Sequence, residues 1–245
     1  VSWYRDYVER LAACRLCPRL VAYRKSVKPP PRFRGETYWA KPVPPWGDLW
    51  ARLMIVGLAP AAHGGNRTGR MFTGDKSAQN LFAVLHSLGL SNKPYSLSRD
   101  DGAELRCVYI TSAVKCAPPR NRPTAEEVRS CSPWLAEEIS AVRPRVIVAL
   151  GRVAWDAVIR TLGAPPTPFA HGAVLQAGAV KIYASYHPSP LNVGTRRVSL
   201  QQIAEVIKKA AAEAGCLPLE AYPTPSSQWR REAPTTSRQA ACLSP

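Results

Sequence analysis

The sequence predicts a single α/β domain in which a four-stranded, mostly parallel sheet is flanked by helices. Short apolar runs bounded by turn residues recur along the chain, segments of helical periodicity separate them, and 245 residues suffice for one sizeable core. The domain is expected over residues 1–216, with residues 217–245 as a flexible tail. Beyond Leu217 the composition turns to Pro, Ser and Thr and periodicity is lost.

In chain order, Ser2–Ala13 carries Trp3, Tyr7 and Leu11 at helical spacing. From Lys28 to Trp46, Pro29-Pro30-Pro31 and Pro44-Pro45 predict an irregular loop wrapped over the surface. Arg52–Gly57 is the first buried strand, followed by a long glycine-rich loop and a helix from about Lys76 to Leu88. Cys107–Ser112 is the second strand. Thr124 and Glu127 form a capping box that opens a helix through about Val142. Arg145–Leu150 and Arg152–Leu162 are the third strand and its helix; Val180–Tyr186 is the fourth strand and Ser199–Ala214 a last amphipathic helix. Parallel sheets bind ligands beyond the carboxyl ends of their strands, so the loops beginning at Leu58, Ala113 and His187 should line one site.

Composition narrows the function classes. There is no apolar run of the ~20 residues a membrane span requires and no signal-peptide pattern at the N-terminus, so a cytoplasmic protein is expected. Thirty-three Lys and Arg face 17 acids, giving a net charge of +16 and a pI near 10.0. Residues 221–245 hold three arginines and one glutamate, so the excess lies in the domain. Such a field favours polyanions, nucleic acid above all.

Seven cysteines in a cytoplasmic chain argue against a disulfide framework and for metal or redox chemistry. Cys14 and Cys17 form a CxxC after the first helix, and Cys116 and Cys131 flank the loop and helix start after the second strand. By spacing, the four suit a structural zinc or a [4Fe–4S] cluster equally, with unrelated buried cysteines as the alternative. Cys107, Cys216 and Cys242 read as ordinary buried thiols.

Two loops carry the remaining chemistry. The first runs from Gly57 through Phe72-Thr-Gly-Asp75; its length and the one-residue offset of Asp75-Lys76-Ser77 argue against the rival reading, a phosphate-binding loop with a Gly-Lys-Ser ending. Its glycines let backbone approach a ligand, Arg67 and Arg70 can meet phosphates, and Phe72 offers a stacking face. Asp75 is the sole acid between Leu49 and Arg99; it caps the following helix, acts chemically, or does both. The second loop, Tyr186-His187-Pro188-Ser189-Pro190-Leu191-Asn192, brings His187 to a strand end and displays Leu191 on a proline-stiffened turn. Arg196 and Arg197 follow in reach of phosphate.

Together the Gly57–Asp75 segment, the His187-Pro-Ser-Pro-Leu-Asn loop and the four spaced cysteines resemble the uracil-DNA glycosylase superfamily, and within it family 5, from about Cys14 to Ala214. The resemblance implies a uracil-DNA glycosylase-like fold and a [4Fe–4S] cluster on Cys14, Cys17, Cys116 and Cys131. It also implies a monofunctional hydrolase of base excision repair that removes uracil, hypoxanthine and other deaminated or modified bases. The expected partner is DNA containing such bases, bound by a monomer in the nucleoid of a prokaryotic cell, away from membranes. By the same resemblance Asp75 and His187 are catalytic, and Ala59, Phe72, Ser112, Asn121, Leu191, Arg67 and Arg196 contact the substrate. The first motif here is apolar (Leu58, Ala59, Pro60, Ala61) where many relatives carry an acid or amide, which shifts the burden to Asp75. Ser112 stands where relatives place an asparagine; this implies looser base discrimination, with Asn121 as a substitute amide. The apolar motif also keeps open a different class, a non-catalytic iron–sulfur DNA-binding or damage-sensing module.

Overall fold

Four parallel strands form the centre of the sheet in a computed structural model, which describes residues 2–217; the tail expected at 217–245 lies almost wholly outside that range, and Cys242 with it. These strands are β2 (Leu53–Gly57), β3 (Val108–Ser112), β4 (Val146–Leu150) and β6 (Val180–Ser185), and they match the four predicted ones. The sheet nevertheless has six strands, in the order β1-β3-β2-β4-β6-β5. Its edges are β1 (Trp46–Gly47) against β3 and β5 (Val174–Ala177) against β6, both antiparallel. Neither edge strand has a pattern that hydrophobicity reveals. β1 is two residues long, and it approaches β3 only because residue 47 is glycine: a Cβ there would stand 2.3 Å from the Val108 carbonyl oxygen. β5 is largely exposed, so it shows no buried run.

Eight helices complete the described residues: α1 (Ser2–Ala13), α2 (Pro18–Ser26), α3 (Gly65–Thr68), α4 (Lys76–Ser87), α5 (Ala125–Val142), α6 (Arg152–Thr161), α7 (Pro190–Gly194) and α8 (Leu200–Glu213). The predicted capping box is formed, with Glu127 N–H donating to Thr124 Oγ1 and Thr124 N–H to Glu127 Oε2. Pro133 lies inside α5 and cannot donate to the Arg129 carbonyl; the Ser132 hydroxyl donates to it instead, at 2.7 Å. Helix α2 was not expected. Its buried positions, Leu20 and Arg24, follow i, i+4 spacing, but one is an arginine, so an apolar stripe never shows.

Residues alternate between two cores. Leu53, Ile55, Val108, Ile110, Val146 and Val148 face one side, with α4 and α8 packed over it. Met54, Val56, Tyr109, Ile147 and Ala149 face the other, beneath α5 and α6. Burial on both faces explains why β2, β3 and β4 read as unbroken apolar runs. It also sends every polar function to the strand ends.

One expectation is overturned. Cys107, just before β3, and Cys216, just after α8, form a disulfide across 109 residues, with Cα atoms 5.8 Å apart. Neither is an isolated buried thiol. Only the return of α8 over the sheet brings the two together, and no spacing rule reveals that. In the chain-entropy account, closing a loop of this size stabilises a fold by about 4–5 kcal/mol. The double variant Cys107→Ala/Cys216→Ala should therefore lose about 4 kcal/mol in urea melts. A loss below about 1 kcal/mol would show that the bond closes only what packing already holds.

Candidate active site

A cleft of about 800 Å³ opens at the carboxyl edge of the sheet. The loop after β2 supplies Ala61–Gly64, Arg67 and Gly74–Lys76, the loop after β3 supplies Arg120 and Asn121, and the turn at 31–33 supplies Arg32 and Phe33. Asp75 is the single carboxylate among the lining residues, and four of its neighbours there are cations: Arg32, Arg67, Lys76 and Arg120. It begins α4, where its Oδ1 accepts the Ala78 N–H at 2.9 Å. Its Oδ2 lies against Gly64, so tightly that a Cβ at residue 64 would stand 2.2 Å from it. Burial pushes the Asp75 carboxyl above its usual range, opposed by the N–H groups of Ala78 and Ser77 and by Arg67. Cap and cleft-lining group are thus one side chain.

The lip after β3 is strained. Arg120 and Asn121 both adopt left-handed backbone, at φ 53° and 55°, in the run Pro118-Pro119-Arg120-Asn121-Arg122-Pro123. Such residues cost of order 1 kcal/mol each and persist where the surroundings dictate them. The result turns Asn121 toward the same cleft as Asp75.

His187 follows β6 in a loop held from two directions. Asn80 on α4 donates to the Pro188 carbonyl at 2.9 Å, and Asn192 donates to that of His187 itself at 2.9 Å. Asn80 is buried and was not singled out from sequence, where it reads as one more polar helix residue. It ties the helix that Asp75 caps to the loop that carries His187. The imidazole stacks on Phe72 with centroids 5.7 Å apart. Phe72 is only 9% exposed, and its ring fills the space that a side chain at Gly57 would take. Neither Phe72 nor His187 is among the residues that line the cleft around Asp75. Just beyond, α7 holds Leu191 73% exposed, and Arg196 is exposed after it.

Other predicted contacts fall elsewhere. Ser112 is fully buried and donates its hydroxyl to the Val114 carbonyl at 2.8 Å, so it presents nothing to a ligand. Ala59 packs against the α5–α6 side of the core. Arg70 is a structural residue: its guanidinium pairs with Asp101 at 2.7 Å, donates to Ser96 and Thr73, and lies over Trp46. Arg67 lines the cleft but is already engaged with Glu36 at 2.8 Å and the His63 carbonyl at 2.9 Å. Sequence spacing identifies cations near a loop; it cannot tell which have acceptors inside the protein.

Cys14, Cys17, Cys116 and Cys131 come together in a second, small pocket lined also by Leu11, Leu20 and Trp134. Arg24 donates to Cys116 Sγ at 3.0 Å and the Lys115 N–H to Cys131 Sγ at 3.3 Å. Burial pushes the Cys116 thiol up to about 11 and that of Cys131 to about 12. Among the described residues no three His, Cys, Asp or Glu side chains converge on a single ion position. A cubane, which takes one thiolate at each iron, asks for wider spacing than one ion does. Beneath the pocket lies a buried ion pair: Lys115 Nζ sits 2.8 Å from Glu138 Oε1 and donates to the Ser112 carbonyl and Thr111, and Tyr7 donates to Glu138. It joins α1, the segment after β3 and α5; Cys14 follows the first of these, Cys116 lies in the second and Cys131 in the third.

An α/β fold with one carboxylate among cations at its carboxyl edge defines an enzyme-like cleft for a polyanion. Comparison with known proteins narrows this. The uracil DNA glycosylase superfamily matches over residues 44–211. A type-5 uracil-DNA glycosylase of Pyrobaculum aerophilum is 68% identical over 216 residues, 88% of this chain and 96% of the relative. That of Thermus thermophilus is 50% identical over 214 residues, 85% and 97% of the two chains. A type-4 uracil-DNA glycosylase of Archaeoglobus fulgidus is 35% identical over 154 residues, 60% and 70% of the chains. The chain belongs to the uracil DNA glycosylase superfamily, in its type-5 group.

Burial pushes His187 down to about 4, so its ring is neutral at pH 7 in folded and unfolded chain alike. Below the ordinary value of ~6.5 the unfolded chain takes up the proton first. This contribution is therefore intact above pH ~6.5 and is lost as pH falls toward about 4. His187→Gln should lose less stability than the parent between pH 7 and 4.5 in urea melts. Equal losses would mean that the ring is not held neutral by the fold.

Proposed function

We propose that the chain is a monofunctional uracil-DNA glycosylase that extrudes a deaminated base, uracil or hypoxanthine, from DNA and hydrolyses its N-glycosidic bond. The observation that carries this reading is Asp75, the lone carboxylate in a cleft lined otherwise by cations and neutral groups, in a chain of this superfamily. The exposed cleft cations Arg32, Lys76 and Arg120 bind the phosphates on either side of the extruded nucleotide. Leu191, exposed at the tip of a rigid turn, fills the gap left in the stack.

Cleavage leaves an electron-poor sugar and an anionic base. The Asp75 carboxylate stabilises the positive charge on the sugar and orients a water whose oxygen bonds to the anomeric carbon. The bond pair leaves with the base, and the proton released by the water neutralises the product. His187, neutral at working pH, donates a hydrogen bond to the departing base oxygen, steadied by Asn80 and Asn192. Asn121 supplies an amide to the base edge. Lys115 is sequestered in its ion pair, and Lys76, the lysine that lines the cleft, donates to Gln79 at 3.3 Å and is assigned to phosphate in this reading, in keeping with hydrolysis and no strand cleavage.

The four cysteines hold a [4Fe–4S] cluster in this reading. Their convergence from three segments, with N–H donors from Arg24 and Lys115 aimed at two sulfurs, suits the negative charge of cluster thiolates. Bound there, the cluster supplies a structural crosslink. The protein works as a monomer on DNA within a prokaryotic cytoplasm.

Duplexes carrying one uracil or one hypoxanthine, treated with hot alkali after incubation, test the activity. The parent should release both bases, borohydride should trap no covalent adduct, and Asp75→Asn should lose at least about 100-fold in rate with duplex affinity kept. Binding without excision in the parent would favour a non-catalytic damage sensor. Anaerobically purified protein should be brown, absorb near ~400 nm and contain about four irons per chain. A colourless, zinc-containing protein would overturn the cluster.

A further inference from the structure

Helix α2, which no apolar periodicity announces, connects the four cysteines with the cleft. Cys17 is its N-cap residue and Pro18 stands in its first turn. Its buried charge, Arg24, is 3% exposed; the guanidinium donates to Cys116 Sγ at 3.0 Å and to the Cys14 carbonyl at 3.3 Å. Tyr23, the residue before it, lines the cleft that holds Asp75. One helix of nine residues therefore touches Cys14, Cys17 and Cys116 and also reaches the cleft.

The carboxyl end of α2 is closed by a side chain from the glycine-rich loop. The last four carbonyls of a helix have no partner within it. In α2 that of Arg24 accepts the Asn66 amide Nδ2 at 3.2 Å, and no left-handed residue ends the helix, because Val27 is extended. Asn66 is wholly buried, and the same nitrogen lies 3.5 Å from the Ala62 carbonyl. Both neighbours are acceptors, so the NH2 of the amide faces them. The backbone of Asn66 then folds the cleft wall. Its N–H donates to the Ala61 carbonyl at 3.1 Å, the Gly64 N–H donates to that same carbonyl at 3.2 Å, and its own carbonyl accepts the Ala40 N–H at 3.1 Å. Trp39 N–H donates to the Arg67 carbonyl at 3.0 Å, so the proline-rich segment is tied to the same turn. Gly64 is the residue against which Asp75 Oδ2 rests.

We propose that Asn66 is a positioning residue that couples the four-cysteine site to the cleft: it fastens the turn at 61–66, and with it the seat of Asp75, to a helix held in place by Arg24 on Cys116. This rests on the glycosylase reading above and deepens it, because the group held by the cysteines then sets the rate of excision as well as the stability of the fold. Arg24 is the joint. Its carbonyl serves Asn66 and its guanidinium serves Cys116. A metal-bound sulfur is a thiolate and accepts a charge-assisted bond, whereas an unligated thiol is a weak acceptor. Removing the group loosens Arg24, and Asn66 passes the slack to Gly64 and so to Asp75. A displacement of about 1 Å in a positioned group slows a reaction by about 100-fold.

Single-turnover excision of uracil, affinity for an abasic-site duplex and amide hydrogen exchange test the coupling, on protein purified with its metal and after the metal is stripped by chelation. Asn66→Ala should keep its metal and hold duplex affinity within about threefold, yet slow excision at least about 30-fold. Stripping the parent should slow excision by a similar factor and speed exchange at residues 61–68, with α8 unchanged as the reference. Stripping Asn66→Ala should slow it less than about threefold further, because the link is already cut. The exchange comparison on the parent needs no variant and decides the matter if Asn66→Ala does not fold. If Asn66→Ala matches an active parent, or if metal loss slows both by the same factor, the two sites are independent and the proposal falls alone. It falls too if the protein purifies without metal, or if stripping leaves exchange at 61–68 unchanged or raises it equally throughout the chain. If the parent excises no base, the glycosylase reading fails, while faster exchange confined to 61–68 on stripping would still establish the link between the two sites.

Discussion

Desolvation of the four central strands on both faces is the constraint from which the rest of the architecture follows. Strands β3, β2, β4 and β6 leave no solvated face on which to place a polar group. Burying unpaired polar atoms there would cost several kcal/mol each. Charge and hydrogen-bonding capacity are therefore displaced to the loops, and the connections of a parallel sheet bring the loops after β2, β3 and β6 to one edge. The glycine-rich loop, the strained Arg120–Asn121 lip and the His187 loop are brought to one edge by this topology, although more than a hundred residues separate the first from the last in sequence.

Where charge does enter the interior, it is paired. Lys115 and Glu138, 1% and 0% exposed, hold each other with help from Tyr7, Thr111 and the Ser112 carbonyl. A buried pair of this kind contributes little over an apolar substitute, but it leaves a severe penalty when one partner moves away. It ties α1 and α5 to the segment that follows β3. The four cysteines are carried by these same elements and the turn between α1 and α2. Arg70 plays a comparable part on the other side of the cleft, where its links to Asp101, Ser96 and Thr73 fix the loop that leads into Asp75.

The polar side chains divide into those that face the cleft and those that support them, and the division does not follow residue type. Arg67 and Arg70 are three residues apart in one basic loop, yet one lines the cleft while engaged with Glu36 and the other is buried. Asn80 and Asn192 brace the same histidine loop from two helices. Phe72, the obvious aromatic of the motif, stacks on His187, whereas Phe33, from a segment without periodicity, lines the cleft around Asp75.

By itself the sequence determined the class of fold, the four central strands, the main helices and the two loops that carry Asp75 and His187. These are read from local pattern: continuous apolar runs, helical periodicity, a capping box and glycine- or proline-rich turns each reflect the preference of a short stretch of chain. The tertiary structure alone decided the edge strands β1 and β5, helix α2 and the Cys107–Cys216 bond. It also decided that Ser112 points inward and that the proline-rich segment closes over the cleft. Each of these depends on a partner brought near by folding: Val108 for Gly47, α8 for Cys107, Val114 for Ser112, His63 for Tyr38. Local propensity records what a residue can do; which hydrogen bond or contact it makes is set by what the rest of the chain places beside it.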